Sequence, residues 1–446
     1  MALTELSAVE AADGIARGEI RSVELVEACL QTVAEREPAV HAWAHIDADH
    51  ALAQAKAADE ARAAGAPCGS LHGVPVALKD IFDTADMPTE FGTPLFDGRM
   101  PERDSAVAER LREAGAVILG KAVTAELATF TPGPTANPHD PKRTPGGSSS
   151  GSAAAVAANM APLALGSQTV GSTIRPAAFC GVFGYKPSYG RISRRGMLPL
   201  SNTFDTVGLF ARTLPDIALL ADVLDRYDGD DPAMRLQAPL RLSEAVAEAP
   251  PVPPTVAFVK TAAWHKAEPA TVAGFEELVE ALGDSCDTVD LPEPFAAVAD
   301  LHNTVLTAEM AKSVGSLCEE PGEHPSARFR EMVEDGRKVS AADYLAAREH
   351  RDVLNAGLNE VFDRYDAIIT PAAPGEAPEG LDATGDPSFC TLWTFCGVPA
   401  LSLPLLVGEH GLPVGVQIVG QRGHDRRLMR NARWLMGQLA DEGETP

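Results

Sequence analysis

Short apolar runs alternate with helical stretches along the first half of this chain, and that alternation restricts its fold more than any other feature. Residues 74–78, 116–119 and 163–165 have the length and apolar character of buried strands, whereas residues 104–114 and 152–158 have helical patterns. Strands separated by helices pair largely in parallel, and the helices then cover the sheet. The sequence therefore predicts an α/β fold with a central mixed β-sheet flanked by helices on both faces.

A chain of 446 residues can bury one large core or two moderate ones, and we interpret it as a single domain over 1–446. A core region at 60–225 contains the clearest alternation of strands and helices. At about 255–365 the strand and helix signals alternate less clearly, which predicts a variable or cap region inside the same domain.

The charge balance limits the partners of this chain. Sixty-three acidic residues against 37 basic ones give a formal net charge of -26, which repels nucleic-acid backbones and anionic membrane surfaces. The seven cysteines are scattered without zinc-ligand spacing, and the first residues lack the pattern of a signal peptide. We therefore expect a cytoplasmic protein that binds no nucleic acid, no membrane and no metal.

Two segments rich in glycine and serine, 146–152 and 166–172, follow a lysine, Lys79, that ends the apolar run 74–78. A serine hydroxyl is a poor nucleophile at neutral pH, and a neutral lysine is one base that activates it. Lowering a lysine pKa from ~10.4 to ~7 costs about 5 kcal/mol, at about 1.36 kcal/mol per unit. Only burial and fixed neighbours supply that much, so the apolar run predicts a buried Lys79.

These residues carry a family resemblance. The chain resembles the amidase signature family over about 71–224 and again over 365–418, with its most specific match running from Gly146 through 168–172 to 174–182. Segments 185–191 and 205–208 continue the pattern. The resemblance implies the amidase signature fold and an enzyme that needs no cofactor.

The resemblance also assigns roles at the site. Lys79 would be the base, Ser148 a bridging serine on a cis peptide bond, and Ser172 the nucleophile. A neutral Lys79 would take a proton from Ser148, which takes one from Ser172 as that serine attacks an amide carbonyl. The oxyanion would be stabilised by the backbone N–H groups of Gln168, Thr169, Val170 and Gly171.

Three positions depart from the usual family pattern. Val170 replaces a glycine, so either this position avoids positive φ or the oxyanion hole is altered. Gln168 replaces an aspartate, and Arg175 follows the nucleophile by three residues instead of two. The last two features are similar to the malonamidase branch, in which the arginine is associated with a substrate carboxylate. We therefore expect Arg175, with Gly147 and Ser149, to bind substrate.

The predicted function is hydrolysis of a small-molecule carboxamide to a carboxylic acid and ammonia or an amine, through an acyl-enzyme on Ser172. An amide that bears a carboxylate is the expected substrate class, and a homodimer is the default assembly. Three alternatives stay open. They are the glutaminase-type subunit of a tRNA-dependent amidotransferase, a carbamoyl or urea-type hydrolase of the same family, and a non-catalytic binding subunit.

Overall fold

The computed structural model describes residues 2–319 and 322–440. Fourteen α-helices lie in these residues: α1 Ala8–Arg17, α2 Ser22–Val40, α3 Ala48–Ala63, α4 Ala106–Glu113, α5 Ser150–Ala157, α6 Ile174–Cys180, α7 Leu214–Leu224, α8 Leu242–Ala247, α9 Pro269–Leu282, α10 Val298–Ser313, α11 Ala327–Lys338, α12 Ala341–Phe362, α13 Ser388–Cys396 and α14 Asp425–Ala440. The eleven strands of the same residues are β1 Trp43–Ile46, β2 Pro75–Lys79, β3 Val117–Ala122, β4 Leu163–Gln168, β5 Phe183–Lys186, β6 Thr206–Ala211, β7 Val256–Val259, β8 Cys286–Val289, β9 Ala367–Pro371, β10 Ala400–Val407 and β11 Pro413–Val419.

All eleven strands join one sheet in the order β1-β3-β2-β4-β6-β5-β10-β11-β9-β7-β8. The pairs of β2 with β3 and β4 are parallel, as are those of β7 with β8 and β9. Every other pairing is antiparallel. The sheet is therefore mixed, as the sequence predicts.

Both faces of the sheet are covered along its centre. Every residue of β2, β3, β4, β5, β6 and β9 is buried, and successive strand residues point to opposite faces. Helices α3, α4, α5, α6, α7 and α14 pack against strands of this sheet. The predicted class, a central mixed sheet flanked by helices, is confirmed.

The parallel pairing of β2 with β4 brings Lys79 close to the end of β4. Val76 lies opposite Leu163 and Leu78 opposite Leu165, so both strands end at the same edge of the sheet. Lys79, the last residue of β2, thereby reaches the level of Gly166 and Ser167. The sequence predicts that residues 166–168 are part of a turn, and this is wrong. These residues continue β4 and pair with β6, and the turn begins at Thr169.

A short helix follows each glycine- and serine-rich segment. Helix α5 begins at Ser150, two residues earlier than the sequence predicts, and is buried along nearly its whole length. Helix α6 begins two residues after Ser172 and ends at Gly181, whose φ of 67° closes it in the left-handed region. The serines therefore lie in the connections that enter buried helices.

Residues 255–365 contribute both to the sheet and outside it. Strands β7 and β8 form one edge of the sheet, next to β9. Helix α10 packs against α11, α12 and α13. The description of this stretch as a variable or cap region stays a prediction, as does the single-domain interpretation. None of the helices in the described residues combines the length and the apolar character that a membrane crossing requires.

Candidate active site

Lys79 is buried at the carboxyl end of β2, with no exposed surface. Its Nζ donates to Ser148 Oγ at 2.8 Å and to Ser167 Oγ at 2.9 Å. Burial lowers the pKa of Lys79 well below its usual value, and the carboxylate of Asp205 only partly opposes that shift. The lysine is thus a buried amine held against two hydroxyl groups, and its burial agrees with the prediction from the apolar run before it.

Ser148 follows a cis peptide bond to Gly147, which agrees with the family resemblance. The Ser148 carbonyl accepts from Ala125 N at 3.0 Å. The neighbouring Ser149 hydroxyl exchanges hydrogen bonds with the backbone of Ser167, donating to its carbonyl and accepting from its N–H, both at 3.2 Å. The Ser149 hydroxyl therefore fastens this segment to β4, and its assignment to substrate binding stays a prediction.

Ser172 ends the turn that leaves β4, and 8% of its surface is exposed. The turn is held from within by the Gln168 side chain, whose Oε1 accepts from Thr173 N at 2.8 Å and Ile174 N at 3.0 Å. Gln168 thus supplies an acceptor to two N–H groups at the start of α6, which would otherwise lack partners. The residue that replaces the usual aspartate is therefore a cap for the helix behind Ser172.

Two contacts from distant helices hold the same turn. Thr394 on α13 accepts from Gln168 Nε2 at 2.9 Å and donates its hydroxyl to the Val170 carbonyl at 2.6 Å. His302 on α10 donates from Nε2 to the Thr169 carbonyl at 2.9 Å, and its ring stacks on Phe204 with 4.2 Å between centroids. The carbonyls of the turn are therefore fixed from outside, which orients the peptide groups between them.

His302 and Thr394 are site residues that sequence reasoning misses. They are separated from Thr169 and Val170 by 133 and 224 positions, respectively. No motif surrounds either residue, because one carbonyl contact from a packed helix leaves no local pattern. Both residues stand among other polar residues of their helices, so the sequence does not single them out.

The backbone of the turn fits the predicted oxyanion role. Within residues 2–319 and 322–440, the N–H groups of Val170 and Gly171 donate to no acceptor. Val170 does not have a positive φ, so its β-branched side chain causes no left-handed strain. The valine is thus accommodated in an ordinary conformation. The assignment of Gln168, Thr169, Val170 and Gly171 to an oxyanion hole stays a prediction.

Arg175 joins the two serine segments. It is 1% exposed, and it donates from Nε to the Thr384 carbonyl and from Nη2 to the Gly147 carbonyl, both at 2.6 Å. Its Nη1 has no partner among the described residues. A methyl group placed on Gly171 would lie 3.1 Å from that Nη1. One guanidinium therefore contacts the residue before Ser148, lies beside the residue before Ser172, and keeps an unpaired Nη1.

Burial lowers the pKa of Arg175 to about 10, so the guanidinium stays charged at neutral pH. The glycines beside it allow the close approach. A methyl group on Gly147 would lie 2.6 Å from Thr384 Cγ2, and one on Gly171 would lie 3.0 Å from Cys390 Cβ. Larger residues would push these segments apart. Nowhere in the described chain do three His, Cys, Asp or Glu side chains form a group that could hold a metal ion.

The chain is similar to several known proteins. The family model described as Amidase matches residues 24–429. One subunit of the glutamyl-tRNA(Gln) amidotransferase of Thermobifida fusca is 34% identical over 99% of this chain and 97% of its own length. The native peptide amidase of Stenotrophomonas maltophilia is 27% identical, with a TM-score of 0.85 over 98% of this chain and 97% of its own.

A third relative comes from a structure described as a vestigial protein complex that reveals the origins of an s-triazine catabolic enzyme. It is 28% identical, with a TM-score of 0.90 over 99% of each chain. These likenesses confirm the fold predicted from the sequence resemblance. The similarity to the malonamidase branch stays a prediction.

Exchange of His302 for glutamine is expected to reduce the loss of unfolding free energy that the protein undergoes as pH falls below about 6.5. Burial lowers the pKa of His302 to about 4, so the folded protein resists the proton that an unfolded histidine accepts near pH 6.5. The wild type should therefore lose stability as pH falls from about 6.5 towards 4, whereas His302→Gln keeps a neutral donor throughout. At about 1.36 kcal/mol per unit, the difference between the two profiles reaches at most about 3 kcal/mol.

Urea unfolding of both proteins at pH 7.5, 5.5 and 4.5 measures this difference. Burial raises the pKa values of Asp80 and Asp205 to about 6, and both groups titrate in both proteins. Their contributions to the unfolding free energy therefore largely cancel when the two proteins are compared. Parallel profiles would show that His302 is not held neutral by the fold.

Proposed function

The chain belongs to the amidase signature family, and we propose that it hydrolyses a small carboxamide that bears an acid group, through an acyl-enzyme on Ser172. As a member of that family it is a serine amidohydrolase that acts on C–N bonds. The observation that carries the proposal is the contact of buried Lys79 with Ser148 Oγ at 2.8 Å. A base and a hydroxyl at this distance form the first half of a proton relay.

In the proposed first step, neutral Lys79 accepts the Ser148 proton, and Ser148 accepts the proton of Ser172. Ser172 Oγ then forms a bond to the amide carbon, and the carbonyl electron pair moves to the oxygen. Burial supports this direction of transfer because it disfavours the charged form of Lys79. Ser167 would position the lysine, since it contacts the same Nζ at 2.9 Å.

The unpaired N–H groups of the turn would then stabilise the oxyanion. Such donors contribute most when they are already oriented, and the contacts of Thr394 and His302 with the adjacent carbonyls provide that orientation. Collapse of the tetrahedral intermediate breaks the C–N bond, and the leaving nitrogen takes a proton from the relay. Water then attacks the ester, loses its proton to the same relay, and releases the acid and Ser172.

The acid group of the substrate is inferred from Arg175. Its Nη1 is buried, has no partner among the described residues, and lies beside Gly171, which directly precedes Ser172. An unpaired guanidinium donor in a dry site favours an anionic partner, and a carboxylate fits it. The contacts with Gly147 and Thr384 hold the other two nitrogens, so the guanidinium is already positioned for that ligand.

Substitution of Arg175 by glutamine should impair hydrolysis of acid-bearing amides selectively. A hydrogen bond to a charged group contributes about 1.5–3 kcal/mol, so kcat/KM for malonamate or succinamate should fall about 10- to 100-fold. The matched neutral substrates, propionamide and butyramide, serve as the control: they report the loss due to the broken contacts with Gly147 and Thr384, and the acid-bearing amides should lose about 10- to 100-fold more than they do. Equal losses on all four amides would assign Arg175 to structure alone, and indifference of the wild type to the carboxylate would overturn the proposed substrate class.

The proposed base predicts the pH dependence of kcat/KM. Activity requires neutral Lys79, so the rate should rise with pH through the lysine pKa and then level off. Because burial lowers that pKa, the plateau should begin well below pH 10.5. Hydrolysis of an amide without ionisable groups, followed from pH 5 to 10.5, measures the profile. A rate that continues to rise to pH 10.5 would contradict a lysine held neutral by burial.

A second candidate is the glutaminase function of a tRNA-dependent amidotransferase. Its support is the 34% identity to the Thermobifida fusca amidotransferase protein over nearly the whole chain. Glutamine also bears a carboxylate, so Arg175 fits it as well. The net charge of -26 opposes direct contact with tRNA. Full activity of the isolated chain on simple amides favours the first candidate, whereas glutamine hydrolysis only with added subunits favours the second.

The other two alternatives have less support. A carbamoyl or urea-type hydrolase would use the same relay on a different carbonyl, and the amide panel extended with urea and biuret distinguishes it. A non-catalytic binding subunit would not require a buried lysine bonded to a serine hydroxyl, which is what Lys79 and Ser148 form. A homodimer stays a prediction.

A further inference from the structure

Arginine side chains gather around Tyr189, although the whole chain is strongly acidic. The guanidinium carbons of Arg194 and Arg351 lie 5.2 Å from the Tyr189 ring centroid, and that of Arg422 lies 5.9 Å from it. Arg194 is paired with the Asp231 carboxylate. Arg351 and Arg422 form no ion pair with any residue in the described ranges. A concentration of unpaired positive charge in a chain of net charge -26 requires a local explanation.

A cavity of about 310 Å³ opens beside this ring. Three cations line it: Lys312 at the end of α10, and Arg348 and Arg351 on α12. The one acidic residue in its lining is Glu309. In the described parts of the chain, neither Lys312 nor Arg348 forms an ion pair. The volume lies at the lower end of the range for small-molecule sites and suits a compact ligand.

Glu309 does not neutralise the three cations, because its oxygens are already used. Its carboxylate accepts from the Ser201 hydroxyl, from Thr203 N at 2.9 Å and Thr203 Oγ1 at 2.6 Å, and from Tyr344 OH at 2.7 Å. Burial acts to raise the pKa of Glu309, but these hydrogen bonds outweigh it and lower the pKa overall, so Glu309 is ionised. Three positive charges against one negative charge leave the cavity with an excess of about two.

Arg351 carries part of this excess positive charge, and two of its nitrogens have no hydrogen-bond acceptor among the described residues. Its Nη1 donates to the Thr203 carbonyl at 3.4 Å, but its Nε and Nη2 are buried and have no partner within residues 2–319 and 322–440. Burial is the main cause that lowers the pKa of Arg351, and repulsion by Arg422 and Arg348 adds to it. Nη2 packs against Gly397, where an added methyl group would lie 2.2 Å from it, so these two donors face the protein interior. Arg351 therefore acts on the cavity mainly through its uncompensated positive charge.

We propose that this cavity, lined by Lys312, Arg348 and Arg351 beside Tyr189, is a binding site for a small oxyanion, either a phosphate or a carboxylate. The site is separate from Arg175 and does not depend on the proposed function. The anion would accept from Arg348 and Lys312, and its charge would offset the repulsion among the arginines, including the partly buried Arg351. Arg348 and Lys312 are exposed, so they would close over the anion from the solvent side.

The cavity is connected to the turn before Ser172. Glu309 contacts Ser201 and Thr203, and the Asp205 carboxylate accepts from Leu200 N at 2.8 Å and from Ser201 N at 2.9 Å. The other Asp205 oxygen accepts from Thr169 Oγ1 at 2.7 Å. Residues 200–205 therefore lie between the anion site and the turn, and occupancy of the cavity should stiffen both.

Calorimetric titration of the full chain with inorganic phosphate, and separately with succinate, tests the proposal. We expect saturable binding of at least one anion, weakened as ionic strength rises. Arg351→Gln and Arg348→Gln should each weaken it at least tenfold. Arg330→Gln, which removes an exposed arginine of α11, is the matched control and should bind within about twofold of the wild type.

Two further variants separate the possible sources of a signal. Arg175→Gln should leave phosphate binding unchanged, whereas loss of succinate binding in that variant alone would place the succinate at the catalytic site. Arg348 is exposed, so its variant reports on binding even where Arg351→Gln fails to fold. The proposal is overturned if neither anion binds saturably, or if Arg348→Gln and a folded Arg351→Gln bind both anions as the wild type does.

Discussion

The burial of Lys79 is the constraint on which the site depends. Burying a charged lysine at the end of a strand costs free energy. The cost is smaller when the amine is neutral and its hydrogen bonds are made. Ser148 and Ser167 provide those partners at 2.8 and 2.9 Å. Ser167 reaches the lysine because β2 and β4 are parallel neighbours that end at the same edge of the sheet. Ser148 is held there by its neighbour Ser149, whose hydroxyl bonds the backbone of Ser167. The same strand pairing therefore accounts for the burial of Lys79 and for its position next to Ser167.

A second requirement is that the turn before Ser172 keeps its shape without a regular hydrogen-bond ladder. Gln168 caps α6 from inside the turn, while Thr394 and His302 hold two of its carbonyls from α13 and α10. Arg175 ties the start of α6 to the segment before Ser148. Two side chains at the loop itself and two from distant helices thus hold one short loop, and among the described residues the N–H groups of Val170 and Gly171 stay unpaired and available to a substrate oxygen.

The sequence predicts the mixed sheet and a buried Lys79 because apolar runs are local signals, and the family resemblance implies that Lys79 acts on Ser148. It misses the extent of β4: Gly166 and Ser167 have turn-like composition, yet pairing with β6 makes them strand. It leaves open the conformation of Val170, which tertiary contacts decide. It gives no indication of His302, Thr394 or the contacts of Arg351 and Arg422 with Tyr189, since these depend on packing between elements more than a hundred residues apart.

The most direct test of the account is to identify which serine becomes nucleophilic, and whether Lys79 makes it so. A fluorophosphonate probe forms a tetrahedral adduct on an activated serine without any need to guess the substrate. Peptide mapping of the wild type and of Lys79→Ala, both labelled under the same conditions, locates the adduct. The account predicts label on Ser172 in the wild type and its loss in Lys79→Ala. Label on another residue, or undiminished label on Ser172 without the lysine, would contradict it.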